Sequence, residues 1–453
     1  MKGNKSNSLK NLTKTICNTS YEDVPTAHFD QIKLSILDSL GVALMAKNTQ
    51  DYKKIHEFYC SLGGGSSYVW GSNKKVSSLD ATFLNIYAGH RNDFDNILYG
   101  TFGHPSVILY PALISVYDYM EISGERLLKS ILIGLETMTT LGMSFGWSLK
   151  EKGFHPTSVL GGFAIASSLG WMLEYPDEKL RNAFGLVGAS ISGFKSSFGT
   201  LSKPYQVAVS GREALSATLL LHNGAELISE GKWLENLSLL SGVYENDWNY
   251  RGFGEPWILD EMNFLYKFYP CCGYFHHVMM EVSKILENTN EDREFVEKVH
   301  LILPEFIKNA SMFDEPNNID EAKFSILFNL ALVLIYEDLT LELFTEREVQ
   351  NPTVKRVMEK IEIKYIKDED ALNDKNQING WVRLEYKSGQ VLTGTIKLTD
   401  NGSEVDFNRI YEKFYQCARS SLTVKQIDKY VDYIMNIEKK DSQEWIRLQE
   451  NFF

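Results

Sequence analysis

The chain changes its hydrophobic period once and then changes it back. From residue 9 to about 265, apolar residues recur at helical spacing. Phe29–Met45 puts Ile32, Ile36, Leu37, Leu40 and Leu44 on one stripe, as a helix facing a core does. Asp38, in the middle of it, sits either on the polar edge or in a pair at a helix contact. Ser78 reads as an N-cap for the helix carrying Phe83 and Ile86, and Glu125–Ser144 reads as a further, mostly apolar helix. Val159–Leu173 is dense in Gly, Ala and Ser, which lets neighbouring helices approach closely. Pro176–Gly193 opens with Pro and acids and ends in Gly, and Arg212–His222 is closed by Asn223-Gly224.

Past residue 267 the period falls to two. A helix runs to Leu286, and then Phe295–Leu303, Ile361–Ile366, Trp381–Tyr386 and Val391–Leu398 alternate apolar and polar. Ser388-Gly389 joins the last two, and a long helical stretch, Glu321–Tyr336, separates the first two. From Asp406 amphipathic helix returns, with Thr423 as a cap. The expectation is a mainly α protein with a second α+β domain. The all-helical domain is 1–265 completed by 403–453, and the smaller α+β domain is 266–402.

Composition narrows this picture. A length of 453 residues allows two or three domains, and 44% apolar residues with 11 Pro exclude a disordered chain. A net charge of −13 leaves no broad basic surface, so nucleic acid is not an expected partner. The five Cys are irregularly spaced without a CxxC, which argues against a disulfide framework or zinc knuckle and for a reducing cytoplasm. The N-terminus lacks the apolar core of a signal peptide, and the longest apolar segments are too short to span a bilayer. No membrane association is expected.

Chemistry concentrates in Ala81–Leu113, an apolar helical run broken by a polar loop. The loop carries Asp93 and Asp95 in a DFD step and then His104-Pro105-Ser106. Acid and imidazole this close supply general acid/base chemistry; the same residues also suit a solvated interhelical loop. His155, before Pro156, reads equally as a capping or packing histidine. Lys203, before Pro204, leaves from a turn at a helix start, where it reinforces a field that attracts anions. Gly63-Gly64-Gly65 has no Lys-Ser/Thr after it and no strand–helix frame, so it reads as a plain loop rather than a phosphate cradle.

Five segments, in order, resemble the MmgE/PrpD family: ILDSLGVAL, ATFLNIYAGHRNDFDN with GHPS, GFHPTSVLGGFAIASSLG, GTLSKPYQVAVSGREALSATLL and KFYPCCGYFHH. The resemblance implies a helical domain, a smaller α+β domain closing over the site, a homodimer, and no metal or organic cofactor. It also implies a small anionic polycarboxylate as substrate. Matched residue by residue, Asp93, His104 and His155 take catalytic positions, and Lys203, Lys267, Cys272 and His276 take substrate-binding positions. Chemistry beside a carboxylate passes through a carbanion or enolate, which needs a base near neutral pH and fixed donors. His104 is therefore expected as acid/base, Asp93 as its orienter or a second base, and His155 as a donor to the substrate. The expected activity is a dehydratase-type lyase on a 2-methylcitrate-like hydroxy acid. An epimerase, a decarboxylase or a non-catalytic relative are the alternatives. Three departures bear on the choice: Asn96-Ile97 replaces the family's acid and Thr, Cys272 stands where the decarboxylase branch has a histidine, and Phe328 falls where that branch has a tyrosine.

Overall fold

A computed structural model describes residues 8–226, 232–337, 339–372, 377–398 and 406–450; the junction at 402–403 lies outside them. Two large hydrophobic cores form. One runs from Leu9 to Tyr266 and takes in Ile410–Trp445, and the other lies between Cys271 and Leu398. The fold is a large helical body with a smaller α+β part, as the change of period implies. Among the described residues no helix is long and apolar enough to cross a membrane.

In the helical body Phe29–Ala46, Ser78–His90, Pro105–Tyr117, Gly124–Leu141, Pro156–Met172 and Ser202–His222 pack around one another. Small residues set their approach. A Cβ added at Gly161 would lie 2.5 Å from the Ile108 side chain, and one at Gly162 would lie 2.9 Å from Val187. The same device brings the end of the chain back. Gly41 lets Phe407–Ala418 settle on Phe29–Ala46, where an added Cβ would sit 2.8 Å from the Phe414 ring. Asp38 is paired rather than peripheral: its carboxylate meets Lys413 Nζ at 2.6 Å and accepts from Asn96 Nδ2 at 2.9 Å.

Four strands form the sheet of the smaller part, in the order 361–366, 296–304, 379–386, 391–397. The first pair is parallel, because the helices between residues 305 and 358 provide its crossover, and the other pairs are antiparallel. Buried Val299, Leu301 and Leu303 alternate with outward residues, so one face is covered by Gly273–Glu287 and Ile326–Ile335.

Several boundaries differ from expectation, each for a local reason. Ser77, not Ser78, caps its helix by accepting from Asp80 N at 3.1 Å. The helix expected over Glu125–Ser144 ends at Leu141 and passes through a wider turn, Gly142–Gly146, before Trp147–Glu151. Gly142 presses on the loop at Gly100, whose carbonyl an added Cβ would approach to 2.3 Å. Ser202–His222 starts ten residues before the expected Arg212, because Pro204 sits in its first turn, where no N–H is needed. The stretch 321–336 is broken: Ile319–Ala322 stops, and Ser325 caps a new helix, Ile326–Ile335. Lys323 lies in the break, held by Asp320 at 2.9 Å and donating to the Arg91 carbonyl at 3.3 Å.

Candidate active site

Four helix N-termini meet at one cavity. His104 and His155 are the N-cap residues of helices that start at Pro105 and Pro156. Proline favours extended backbone in the residue before it and fits the first helical position, so each His-Pro step sets an imidazole at a helix mouth. Lys203 lies in the first turn of Ser202–His222, and Cys272 caps Gly273–Glu287. Each terminus contributes a partial positive charge. The loop between Ser78–His90 and Pro105–Tyr117 forms the floor, with Asp93 and Phe102 in the left-handed region at φ 52° and 54°. Antiparallel pairing of Ile97–Leu98 with Phe264–Leu265 brings Lys267 to it. Below, Lys413 donates to the Phe94 carbonyl at 2.8 Å, and Ser106 donates to Asn96 Oδ1 at 2.6 Å.

The two carboxylates of the DFD step have separate tasks. Asp95, fully buried, puts Oδ2 at 2.8 Å from His90 Nδ1 and 3.0 Å from His104 Nδ1. Asp93 instead pairs with Lys203 and, at 3.1 Å, with Lys267, which also donates to the Asp93 carbonyl at 2.8 Å. Asp93 is expected to orient His104 or to serve as a second base; the carboxylate at His104 Nδ1 is instead that of Asp95. Asp93 has a left-handed backbone, and its side chain lies against the two lysines. Burial pushes the Asp93 carboxyl up, but Lys203 and Lys267 outweigh it and hold it well below the usual range. Burial acts on Asp95 in the same way, and the two histidines outweigh it.

The hydrogen bonds assign the two imidazoles opposite tautomers. His104 Nδ1 faces Asp95 Oδ2 and the carbonyls of Asp95 and Asn96, at 3.3 and 3.1 Å, so it carries the proton and leaves Nε2 a lone pair. His155 Nδ1 faces Gln206 Nε2 at 2.9 Å. That amide is fixed in orientation, because its oxygen accepts from Phe194 N at 2.8 Å and its nitrogen donates to Phe194 O at 3.1 Å. His155 Nδ1 is therefore an acceptor, and its Nε2 bears the proton. Burial, and then the charges of its neighbours, pushes His155 well below the ordinary histidine range. The site holds one imidazole ready to take a proton and one ready to donate a hydrogen bond.

A model of the MmgE/PrpD N-terminal domain matches residues 10–237, and one of the C-terminal domain matches residues 269–436. The chain belongs to the MmgE/PrpD family. Cis-aconitate decarboxylase of Mus musculus is 25% identical over 74% of this chain and 71% of its own. The Homo sapiens protein of the same name is 22% identical over 95% and 92%.

In this MmgE/PrpD protein Asp93, His104, His155, Lys203, Lys267 and Cys272 all line the cavity. Burial, reinforced by Asp93, pushes the Cys272 thiol up, so it meets the cavity as a neutral group. His276 does not line it. Its Nε2 lies 3.1 Å from the Tyr269 carbonyl, and burial, then Lys267, pushes its pKa down to about 3. Phe328 is likewise not in the wall; it belongs to the core of the α+β part, and the break at 323–325 puts Phe324 in the wall instead. Of the two other departures, Asn96 lies beneath the site and Ile97 forms apolar wall.

Several residues escaped sequence reasoning. Lys150 and Lys195 line the cavity but carry no motif of their own, and the resemblance implies no role for Tyr274, within the KFYPCCGYFHH segment. His90, last residue of its helix, stacks on His155 with centroids 5.4 Å apart; burial pushes its pKa down to about 4. Its five-residue spacing from Asp95 was the available signal. His90, Asp95 and His104 also offer donor atoms within 4.8 Å of one another, a set able to hold a metal ion. Here both Nδ1 atoms converge on a single carboxylate oxygen at N–H···O distances, the geometry of a proton-holding triad.

Proposed function

We propose that this protein is a cofactor-independent lyase that acts on a small polycarboxylate by proton transfer beside a carboxylate. The observation that carries the reading is the pair of opposite tautomers, His104 and His155, facing one cavity at which four helix N-termini meet. His104 Nε2 takes a proton from the carbon next to a carboxylate. His155 Nε2–H and Lys267 hold the oxygen on which charge grows. In a hydroxy acid, the C–O bond then breaks and the hydroxide takes the proton from His104, leaving as water. Dehydration is our first reading. The neutral Cys272 and the apolar Ile97 remove polar groups from the wall, which favours a substrate more apolar on one side than citrate-like acids. Decarboxylation is the second reading, favoured by what the relatives in mouse and human are called. The family resemblance implies a homodimer, which a sizing column tests.

A screen of di- and tricarboxylates in D2O, with products identified by NMR, tests the proposal. Loss of water identifies a dehydratase and release of CO2 a decarboxylase. Deuterium uptake at the α-carbon with neither would overturn the lyase reading in favour of an epimerase. In the same assay His104→Ala lowers turnover by about 10²–10⁴-fold, the usual contribution of a positioned acid/base. Unchanged turnover in that variant would refute its role.

A further inference from the structure

The positive charge of the cavity is unevenly committed. At the inner end, the Asp93 carboxylate pairs with both Lys203 and Lys267, the buried Asp95 carboxylate adds a second negative charge against His90 and His104, and His90 and His155 are held neutral by burial. An arriving anion finds little formal charge left there, only the hydrogen-bond donors and the helix termini. Lys150 and Lys195 line the same cavity, half-buried, and neither forms an ion pair among the described residues.

These two lysines are brought together by construction. Lys195 N donates to the Gly153 carbonyl at 2.8 Å and His155 N donates to the Gly193 carbonyl at 3.0 Å. The segments after Lys150 and before Lys195 are thus zipped across a Phe154–Phe194 bridge, beside His155. Lys150 Nζ donates to Tyr274 OH at 2.6 Å, which fixes the ammonium at the wall. Burial and then the charge of Lys150 push Lys195 below the ordinary lysine range, and Glu151 offsets them only in part. The nearest acid along the chain, Glu151, is exposed.

We propose that Lys150 and Lys195, steadied by Tyr274, form a second anion subsite that binds a carboxylate remote from the reacting carbon. The substrate is then at least a dicarboxylate, with one acid group at His104 and His155 and another at the outer lysines. The carbon between them lies against Phe154 and Ile97. This rests on the carboxylate reading above and adds the specificity determinant to it.

Tricarballylate, an unreactive tricarboxylate, and butyrate, a monocarboxylate, separate the two ends of the cavity. Affinities for both are measured by calorimetry or ligand-observed NMR on wild type, Lys195→Met and Lys150→Met/Lys195→Met, with a cooperative melt as the check on folding. The double variant is expected to bind tricarballylate about tenfold more weakly or worse, because two charge-assisted hydrogen bonds are lost. Butyrate affinity stays unchanged, and Lys195→Met falls between. Equal affinities in wild type and double variant, or equal losses for both probes, would overturn the outer subsite alone. Failure of the wild type to bind either probe would overturn the carboxylate reading on which it rests.

Discussion

Replacing Asp95 by Asn tests the division of labour between the two carboxylates. The change keeps the volume of a side chain with no exposure and removes only its charge. In the folded protein one oxygen serves two imidazoles, His90 at 2.8 Å and His104 at 3.0 Å. Each bond to a charged acceptor is worth about 1.5–3 kcal/mol, but only the His104 bond strengthens when that ring takes a proton. The amide does not scramble the tautomer, because the carbonyls of Asp95 and Asn96 still face Nδ1 at 3.3 and 3.1 Å. What is lost is the anion beside a developing imidazolium, about 3–4 kcal/mol of transition-state stabilisation, or about 10²–10³ in rate. A serine-hydrolase-type triad loses about 10⁴ on the same replacement, where the wrong tautomer adds to the loss. The assay is kcat and kcat/KM on the best substrate from the carboxylate screen, with thermal melting alongside. We expect both kinetic constants to fall together with KM nearly unchanged. A folded Asp95→Asn within about threefold of wild type, beside an inactive His104→Ala, would refute the orienting role.

Other substitutions probe the remaining supports. Gln206→Glu turns the donor to His155 Nδ1 into an acceptor and moves the proton off Nε2. Turnover should fall by about 10², whereas unchanged turnover would mean that His155 acts without that proton. Lys413→Met strands the buried Asp38 carboxylate and should cost about 3–5 kcal/mol in denaturant unfolding; a loss below about 1 kcal/mol would show the pair to be dispensable. His90 is neutral in the fold because burial lowers its pKa from 6.5 to about 4. The unfolded chain therefore takes up a proton first as pH falls, and the contribution of His90 to stability, full above 6.5, declines towards 4. The stability gap between wild type and His90→Gln should change over that window and stay flat above it; a gap that is flat throughout would show that His90 keeps its ordinary titration.

The helices and strands were legible because their periods differ, and the His-Pro and Lys-Pro steps were legible because proline announces a helix start. The assignment of partners was not. Asp93 and Asp95 are chemically identical and two residues apart, and which one meets His104 depends on a left-handed backbone at Asp93 that no residue type demands. Lys150 and Lys195 carry no sequence signal, since the contact that makes them neighbours is backbone pairing between turns at 153 and 193–195. Phe328 and His276 misled in the opposite direction. Position along a motif does not say which way a side chain turns when a helix breaks, as it does at 323–325, or when a carbonyl such as that of Tyr269 is closer than the cavity.

The Lys413 contacts with Asp38 and the Phe94 carbonyl also impose an order in time. The contact with Phe94 spans 319 positions of chain, yet it holds the very turn that carries Asp93 and Asp95. A ribosome delivers the helices, both His-Pro steps and all four cavity lysines long before it delivers Lys413, and domains begin to fold while synthesis continues. The nascent protein therefore has all its reactive groups synthesised while the turn beneath them still lacks its fastener. The fastener arrives only when Phe407–Ala418 emerges and packs on Phe29–Ala46. A chain stopped short of residue 406 would keep every group proposed to touch substrate and still lack the clasp that sets their distances.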